Sequence, residues 1–175
     1  MPIRWNDATL RHDVSSGGNL MQVTGTEDVA APIKHVFAEL TAFDALERQA
    51  MRRGIDVRRQ FRTAEPTIGD GWDATFRFRG KERNAKITLD ACDAPNEVCF
   101  TGVSGGLETN TQVELVPLSP NRTRVNLVVK MNPKTLSARL LVQSFKLARS
   151  SINKRFKKRM TQFARDIENK VVKTA

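Results

Sequence analysis

Two charged side chains share strand faces that are otherwise apolar. Residues 55–63 alternate as a strand, and Arg59 lies on its apolar face. Glu27 lies on the apolar face of a strand predicted over 21–29. A charge that enters an apolar interior must be paired or must bind a ligand. The pattern leaves three alternatives: Arg59 binds a polar head group with Glu27 as its partner, the two form a structural pair, or a bulge turns Arg59 outward.

A Gly-x-Ser-x-Gly pattern occurs at 102–106, where the sequence reads Gly-Val-Ser-Gly-Gly. The nucleophile elbow of a hydrolase needs a strand before the serine, a helix after it and a histidine later in the chain. The next element is predicted to be a strand, and His12 and His35 both precede Ser104. The segment is therefore predicted to be a β-turn in which glycines supply positive φ angles.

The two histidines do not form a metal site of known spacing. His35 falls on the side of the first predicted helix away from its apolar residues, so we expect it to be exposed. The chain has no phosphate-binding glycine loop, no dinucleotide fingerprint and no tyrosine. We therefore predict no metal, no cofactor and no catalytic residue set.

Cys92 and Cys99 are too few for the disulfide framework of a secreted protein. A two-residue turn at Pro95 and Asn96 would place them opposite each other across a hairpin, with both side chains outward. In a reducing compartment, two thiols are expected rather than a disulfide. The N-terminus shows no apolar signal segment, so the predicted location is cytoplasmic.

The order of elements predicts an α+β domain. One strand is followed by two short helices (32–41 and 43–53), then by six strands, and finally by a helix over 135–171. Short connections predict antiparallel pairing of neighbouring strands. We expect residues 21–175 to form a curved seven-stranded antiparallel sheet around the long C-terminal helix, with residues 1–20 as a flexible extension.

Three segments carry a resemblance to a known group of proteins. They are Glu-Asp-Val-Ala-Ala-Pro-Ile-Lys-His-Val-Phe at 27–37, Leu-Thr-Ala-Phe-Asp at 40–44, and Gly-Asp-Gly-Trp at 69–72 with Phe-Arg-Phe-Arg-Gly at 76–80. Together they resemble the START-related (SRPBCC) superfamily, which includes polyketide cyclases, lipid-transfer domains, and plant allergen and hormone-receptor proteins. The resemblance covers about 21–170. It implies the helix-grip fold and an internal cavity for a hydrophobic molecule, and it fixes no catalytic residue.

Strand alternation predicts which side chains line that cavity. An apolar pocket with a few convergent polar groups is the usual form of a small-molecule site. The candidate lining residues are Glu27, Arg59, Trp72, Phe76, Phe78, Phe100, Thr109, Thr111, Met131 and Phe145.

The net charge of +10 is concentrated at the end of the chain. Residues 135–175 hold 11 Lys and Arg against 2 Asp and Glu. Such a segment is either a solvated helix face or a surface for an anionic membrane or a nucleic acid. Nucleic acid is the less favoured partner, because Phe145, Phe156 and Phe163 lie on the stripe predicted to be buried and cannot stack on bases.

The sequence favours a carrier or binding module for a hydrophobic small molecule or lipid over an enzyme. Arg59, with Thr109 or Thr111, is expected to orient the polar end of that ligand. The first alternative is a cyclase or dehydratase, for which Glu27 is the one inward carboxylate that could act as acid or base. The second is binding of an anionic membrane or a nucleic acid through the basic C-terminal helix.

Overall fold

A computed structural model describes residues 20–61 and 65–174 and confirms the predicted α+β fold. The predicted extension lies outside these ranges, Leu20 excepted, as does His12. The strands are β1 (Met21–Val29), β2 (Asp56–Arg59), β3 (Gly71–Phe78), β4 (Lys81–Asp93), β5 (Glu97–Ser104), β6 (Leu107–Ser119) and β7 (Arg122–Pro133). The helices are α1 (Ile33–Leu40), α2 (Phe43–Arg52), α3 (Leu136–Leu147) and α4 (Arg149–Thr174).

The seven strands form one antiparallel sheet in the order β1-β7-β6-β5-β4-β3-β2, so β1 and β2 are its edges. From β2 onward each strand pairs with the next, as short connections predict. Gly105 and Gly106 turn the chain between β5 and β6 with φ angles of 53° and 78°. The predicted turn is therefore confirmed at Gly105 and Gly106, whereas residues 102–104 belong to β5. The Ser104 hydroxyl donates a hydrogen bond to the Asn84 carbonyl oxygen at 2.7 Å.

The single C-terminal helix predicted over 135–171 is in fact two helices. α3 ends at Leu147, Ala148 adopts φ −93° and ψ 13°, and α4 begins at Arg149. The Ala148 N–H still donates to the Ser144 carbonyl oxygen at 3.2 Å, so the chain bends without an intervening loop. The apolar spacing continues unchanged through the bend, which is why the pattern predicted one helix. Within residues 20–61 and 65–174, every helix is too short or too polar to cross a membrane.

α4 lies directly against the inner face of β1. At Gly25 a Cβ atom would lie 2.8 Å from Phe156 Cε1, so glycine permits this close approach. The main core gathers around α4 and the middle of the sheet and includes Val29, Leu89, Val98, Val113, Leu115, Val125 and Ile167. A second core, built on Met21, Val23 and Val142, holds α3 to β1.

β2 is shorter than the strand predicted over 55–63. It ends at Arg59, which pairs with Trp72 near the start of β3. Beyond Arg59 the Gln60 N–H still donates to the carbonyl oxygen of Gly71, the first residue of β3, at 2.8 Å. Phe61, predicted to share the apolar face of the strand, is exposed. Thr63, the end of the predicted strand, lies outside the described residues.

The two cysteines do not face each other as predicted. A three-residue loop joins β4 to β5 in place of a two-residue turn, and a bulge follows Leu89. Both features shift the register. Cys92 consequently lies opposite Val98 and points inward, whereas Cys99 lies opposite Ala91 and points outward. Ala91, predicted to face inward, is therefore on the outer face, and both thiols are free.

Candidate functional site

Arg59 points inward as predicted, but its partners lie on α2. Its Nε donates to Glu47 Oε1 at 2.6 Å, and its Nη2 donates to Asp44 Oδ1 at 2.8 Å. The Arg59 side chain is only 6% exposed. Glu27 lies on the other edge strand and accepts a hydrogen bond from Thr161 Oγ1 at 3.2 Å. The two alternatives that paired Arg59 with Glu27 are therefore wrong, because β1 and β2 are opposite edges of the sheet and α2 supplies the partners of Arg59.

Glu47 is a buried carboxylate that the sequence analysis did not single out. Its Oε1 accepts a second hydrogen bond from Trp72 Nε1 at 2.8 Å. The Phe43 ring stands edge-on to Trp72 with centroids 4.9 Å apart, and Phe100 lies 6.3 Å from both. The Arg59 guanidinium lies 5.5 Å from the Phe43 centroid. One end of the inner face is thus filled by three rings and a paired charge, which fasten α2 to the sheet.

The other end of β3 is closed by α3. Phe78 and Phe145 meet edge-on, with centroids 5.9 Å apart. The guanidinium of Arg79 lies 5.3 Å from the Phe78 centroid and 5.7 Å from the Phe145 centroid. Arg79 itself occupies the β3–β4 turn with a φ of 51°. The predicted lining residues Phe78 and Phe145 therefore join α3 to the tip of this hairpin.

Between these two ends, the inner face is less completely covered. Phe76, Thr109, Thr111 and Met131 point inward as predicted, and each is partly rather than fully buried. Thr109 Oγ1 donates to the Gly102 carbonyl oxygen at 3.3 Å, so part of its hydrogen-bonding capacity is used within the sheet. Partial exposure on the helix-facing side means that solvent reaches this surface.

Arg83 is an inward cation that the sequence analysis missed. It lies opposite Phe76 in the β3–β4 pairing and shares the inner face of β4 with Ala85 and Ile87. Its Nε is buried and has no hydrogen-bond partner among the described residues. A buried donor without a partner costs about 1–3 kcal/mol. Extending the alternation of β4 by two residues before Ala85 would have identified it.

Cavities open at other places on the molecule. One of about 390 Å³ lies on the outer face of the sheet and includes Asp90, Cys99 and Lys130 in its lining. One of about 530 Å³ separates α2 from α4, and one of about 290 Å³ borders Phe43 and Arg59. None of these three lies between the central inner face and α4. The predicted internal cavity therefore rests on the partial exposure of that face.

Cys99 is surrounded by carboxylates on the outer face. Its Sγ donates to Glu97 Oε1 at 3.0 Å. Burial raises the pKa of the Cys99 thiol to about 12, and the hydrogen bond to Glu97 and the charges of Glu97 and Asp90 act in the same direction. A protonated thiol is a weak nucleophile and a weak metal ligand. In the described ranges, no three His, Cys, Asp or Glu side chains are grouped to hold a metal ion.

His35 is not exposed as predicted. It is partly buried, and its Nε2 is buried without a hydrogen-bond partner in the described part of the chain. α1 packs against β6 and β7, and Glu39 on the same helix pairs with Lys170 of α4. The short helix is therefore covered on more than its apolar side.

Comparison with solved structures gives the fold of the chain. The Zhui aromatase/cyclase from Streptomyces sp. R1128 matches with a TM-score of 0.61 at 15% identity, over 87% of this chain and 96% of that one. Norcoclaurine synthase from Thalictrum flavum, in complex with dopamine and hydroxybenzaldehyde, matches with a TM-score of 0.58 at 13% identity, over 87% and 86%. A START superfamily protein from Mycobacterium smegmatis matches with a TM-score of 0.52 at 13% identity, over 77% and 95%.

These likenesses confirm the helix-grip fold that the sequence resemblance implied. At such low identity they concern the fold alone. No protein-family model matches the chain, and no curated protein matches it in sequence.

Proposed function

Because the chain has the helix-grip fold, we propose that it binds a hydrophobic small molecule or lipid against the inner face of its sheet, in the cytoplasm. The observation that carries the proposal is the incomplete cover of that face between its two closed ends. Phe76 and Met131 are apolar, point toward the helices and remain partly exposed. A ligand that covered them would gain about 25 cal/mol for each Å² of apolar surface buried, before association costs.

Arg83 replaces Arg59 as the residue that we expect to bind the polar end of the ligand. Arg59 has two carboxylate partners and is almost fully buried. The Nε of Arg83 has no partner among the described residues, and Arg83 lies opposite Phe76. A guanidinium prefers carboxylate or phosphate oxygens, which it can bind with two parallel hydrogen bonds. An anionic or strongly hydrogen-bond-accepting end is therefore favoured, with Thr109 and Thr111 on the same face.

The inward carboxylates of the described residues do not favour catalysis. Glu27, the candidate acid or base, accepts a hydrogen bond from Thr161 on α4. Glu47 accepts hydrogen bonds from Arg59 and Trp72. Both groups thus act in holding helices to the sheet, and a binding module fits this arrangement better than a cyclase or dehydratase.

Native mass spectrometry of the purified protein, followed by extraction of any bound molecule, tests the proposal directly. We expect an adduct of a few hundred daltons, roughly the size that protein pockets accept. A matched pair of variants locates it. Thr111→Phe adds a ring to the inner face and should abolish the adduct, whereas Asn110→Phe places the same ring on the outer face and should leave it. A bare mass before and after incubation with lipid extract would contradict the proposal.

A further inference from the structure

α3 exposes a stripe of leucines to solvent. Leu136, Leu140 and Leu147 are 72%, 66% and 92% exposed. At about 100° per residue, the three positions fall within an arc of about 40°. Ala138 and Val142, on the opposite side of the helix, are buried. The leucine stripe (Leu136, Leu140 and Leu147) therefore faces away from the protein core.

Exposed cations precede, accompany and follow the leucine stripe along the chain. Arg139 is exposed on α3, and Lys134 precedes Thr135, the N-cap of that helix. The exposed cations of the first half of α4 follow directly: Arg149, Lys154, Arg155, Lys157, Lys158 and Arg159. From residue 115 to residue 165 the chain contains no aspartate or glutamate. α3 and the start of α4 thus expose apolar and cationic side chains and contain no acidic ones.

We propose that this surface docks on an anionic lipid bilayer, with the leucine stripe entering the interface. An interfacial helix buries its apolar side at the boundary between headgroups and acyl chains, while its cations attract anionic headgroups. α3 supplies the exposed apolar side, and α3 together with the start of α4 supplies the cations. The sequence pointed to the basic C-terminal helix in general, and the structure assigns the contact to α3.

Charge and side-chain placement disfavour two other occupants. A second copy of the chain would bring two cationic surfaces together, which costs free energy. A nucleic acid would match the charge, but it would leave three leucines unburied. The aromatic side chains of this segment, Phe145, Phe156 and Phe163, are partly buried and pack on the core side, so they are not placed to stack on bases.

α3 also closes one end of the inner face through Phe145 and Phe78. Docking would therefore bring the proposed ligand-binding face next to the bilayer. The docking proposal does not depend on ligand binding, however, because the leucine stripe lies on the outer side of α3. The two can succeed or fail separately.

Cosedimentation with vesicles tests the proposal on the full chain. We expect binding to phosphatidylcholine vesicles that contain about 30 mol% phosphatidylserine, weak binding without phosphatidylserine, and a decrease with added salt. The triple variant Leu136→Gln, Leu140→Gln, Leu147→Gln should reduce partitioning roughly tenfold while keeping good helix formers at exposed sites. The double variant Lys157→Gln, Lys158→Gln should weaken binding only at low salt.

Leu118→Gln and Val172→Gln, which change exposed apolar residues elsewhere, serve as controls and should bind as the parent does. Circular dichroism and thermal melting establish that the triple variant is folded. The proposal is overturned if the parent chain does not bind the anionic vesicles, or if the folded triple variant binds them equally well. It is also overturned if the leucines prove to form a dimer interface by light scattering, or if RNA binding, rather than vesicle binding, is lost in the triple variant.

Discussion

Glu47 Oε1 lies 2.6 Å from Arg59 Nε, and both side chains are almost completely shielded from solvent. The same oxygen accepts the Trp72 indole hydrogen bond, so one carboxylate joins α2 to both β2 and β3. An ion pair in such a place has lost its hydration on both sides. Removing one residue of the pair leaves the charge of the other buried without its main partner.

We therefore expect Glu47→Ala to lower the free energy of unfolding by about 3–5 kcal/mol. Urea unfolding followed by far-ultraviolet circular dichroism measures the change. Asp44→Ala is the matched control, because Asp44 also binds Arg59 but is 60% exposed. Its loss should cost less than about 1 kcal/mol. If Glu47→Ala and Asp44→Ala lowered the free energy of unfolding equally, the buried Glu47 Oε1 would have no special role in stability.

The close approach of α4 to β1 gives a second prediction, for Gly25→Ala. In an unobstructed strand, replacing glycine by alanine usually stabilises a protein by about 0.4–1 kcal/mol. Here the new Cβ would lie 2.8 Å from Phe156 Cε1, so we expect destabilisation of about 1–3 kcal/mol instead. Thermal or urea unfolding shows whether the free energy of unfolding rises or falls. Thr24→Ala, on the exposed side of the same strand, should change stability much less, and a stabilised Gly25→Ala protein would show that α4 packs elsewhere.

Much of the fold could be predicted because period-two alternation reports directly which side of a sheet is buried. The alternation places the expected residues on the inner face from Leu107 to Leu115 in β6 and from Thr123 to Met131 in β7, and a register shift between Pro117 and Ser119 ends it in β6. α2 shows where the spacing of apolar residues misleads. Leu46 follows Phe43 by three residues and so shares its side of the helix, yet Leu46 is exposed and Glu47 is buried. Glu47 lies four residues after Phe43 and so on the same helical face, but a carboxylate is not expected in a core unless its partners are known.

The errors of register and length have local causes that apolar spacing does not report. A bulge after Leu89 moves Cys92 to the inner face, and a bulge leaves no mark in residue type here. The bend at Ala148 interrupts the helix without interrupting the apolar stripe. The exposure of the leucine stripe of α3 likewise could not be predicted from apolar spacing, because the sequence alone does not distinguish an exposed leucine from a buried one.

The Cys99 thiol gives a prediction about alkaline pH. Its pKa is raised from 9.0 to about 12 in the folded protein, so folding favours the protonated thiol. The resulting stability is fully present below pH 9 and is lost as the pH rises toward 12, because the unfolded chain releases this proton first. We expect urea unfolding to show a smaller loss of stability between about pH 8 and pH 10.5 in Cys99→Ala than in the parent.

The same thiol should react slowly with iodoacetamide in the folded protein at about pH 8, and at an ordinary rate in urea. Peptide mapping distinguishes Cys99 from Cys92, whose pKa is also raised by burial. Equal alkylation rates of Cys99 in the folded and unfolded chains would show that its thiol is not shielded as the structure indicates.

Arg83→Leu separates the energetic and the binding roles of the inward cation. Since the buried Nε has no partner among the described residues, its removal should leave stability unchanged or raise it by about 1 kcal/mol. Binding of a fatty-acid probe, which carries a carboxylate, should weaken roughly tenfold, whereas binding of the corresponding uncharged alcohol should persist.

Arg77→Leu, an exposed change on the outer side of β3, is the control and should alter neither affinity. Fluorescence titration of both probes against both variants provides the comparison. If Arg83→Leu weakened acid and alcohol equally, Arg83 would be shaping the apolar face rather than binding the charged end of the ligand.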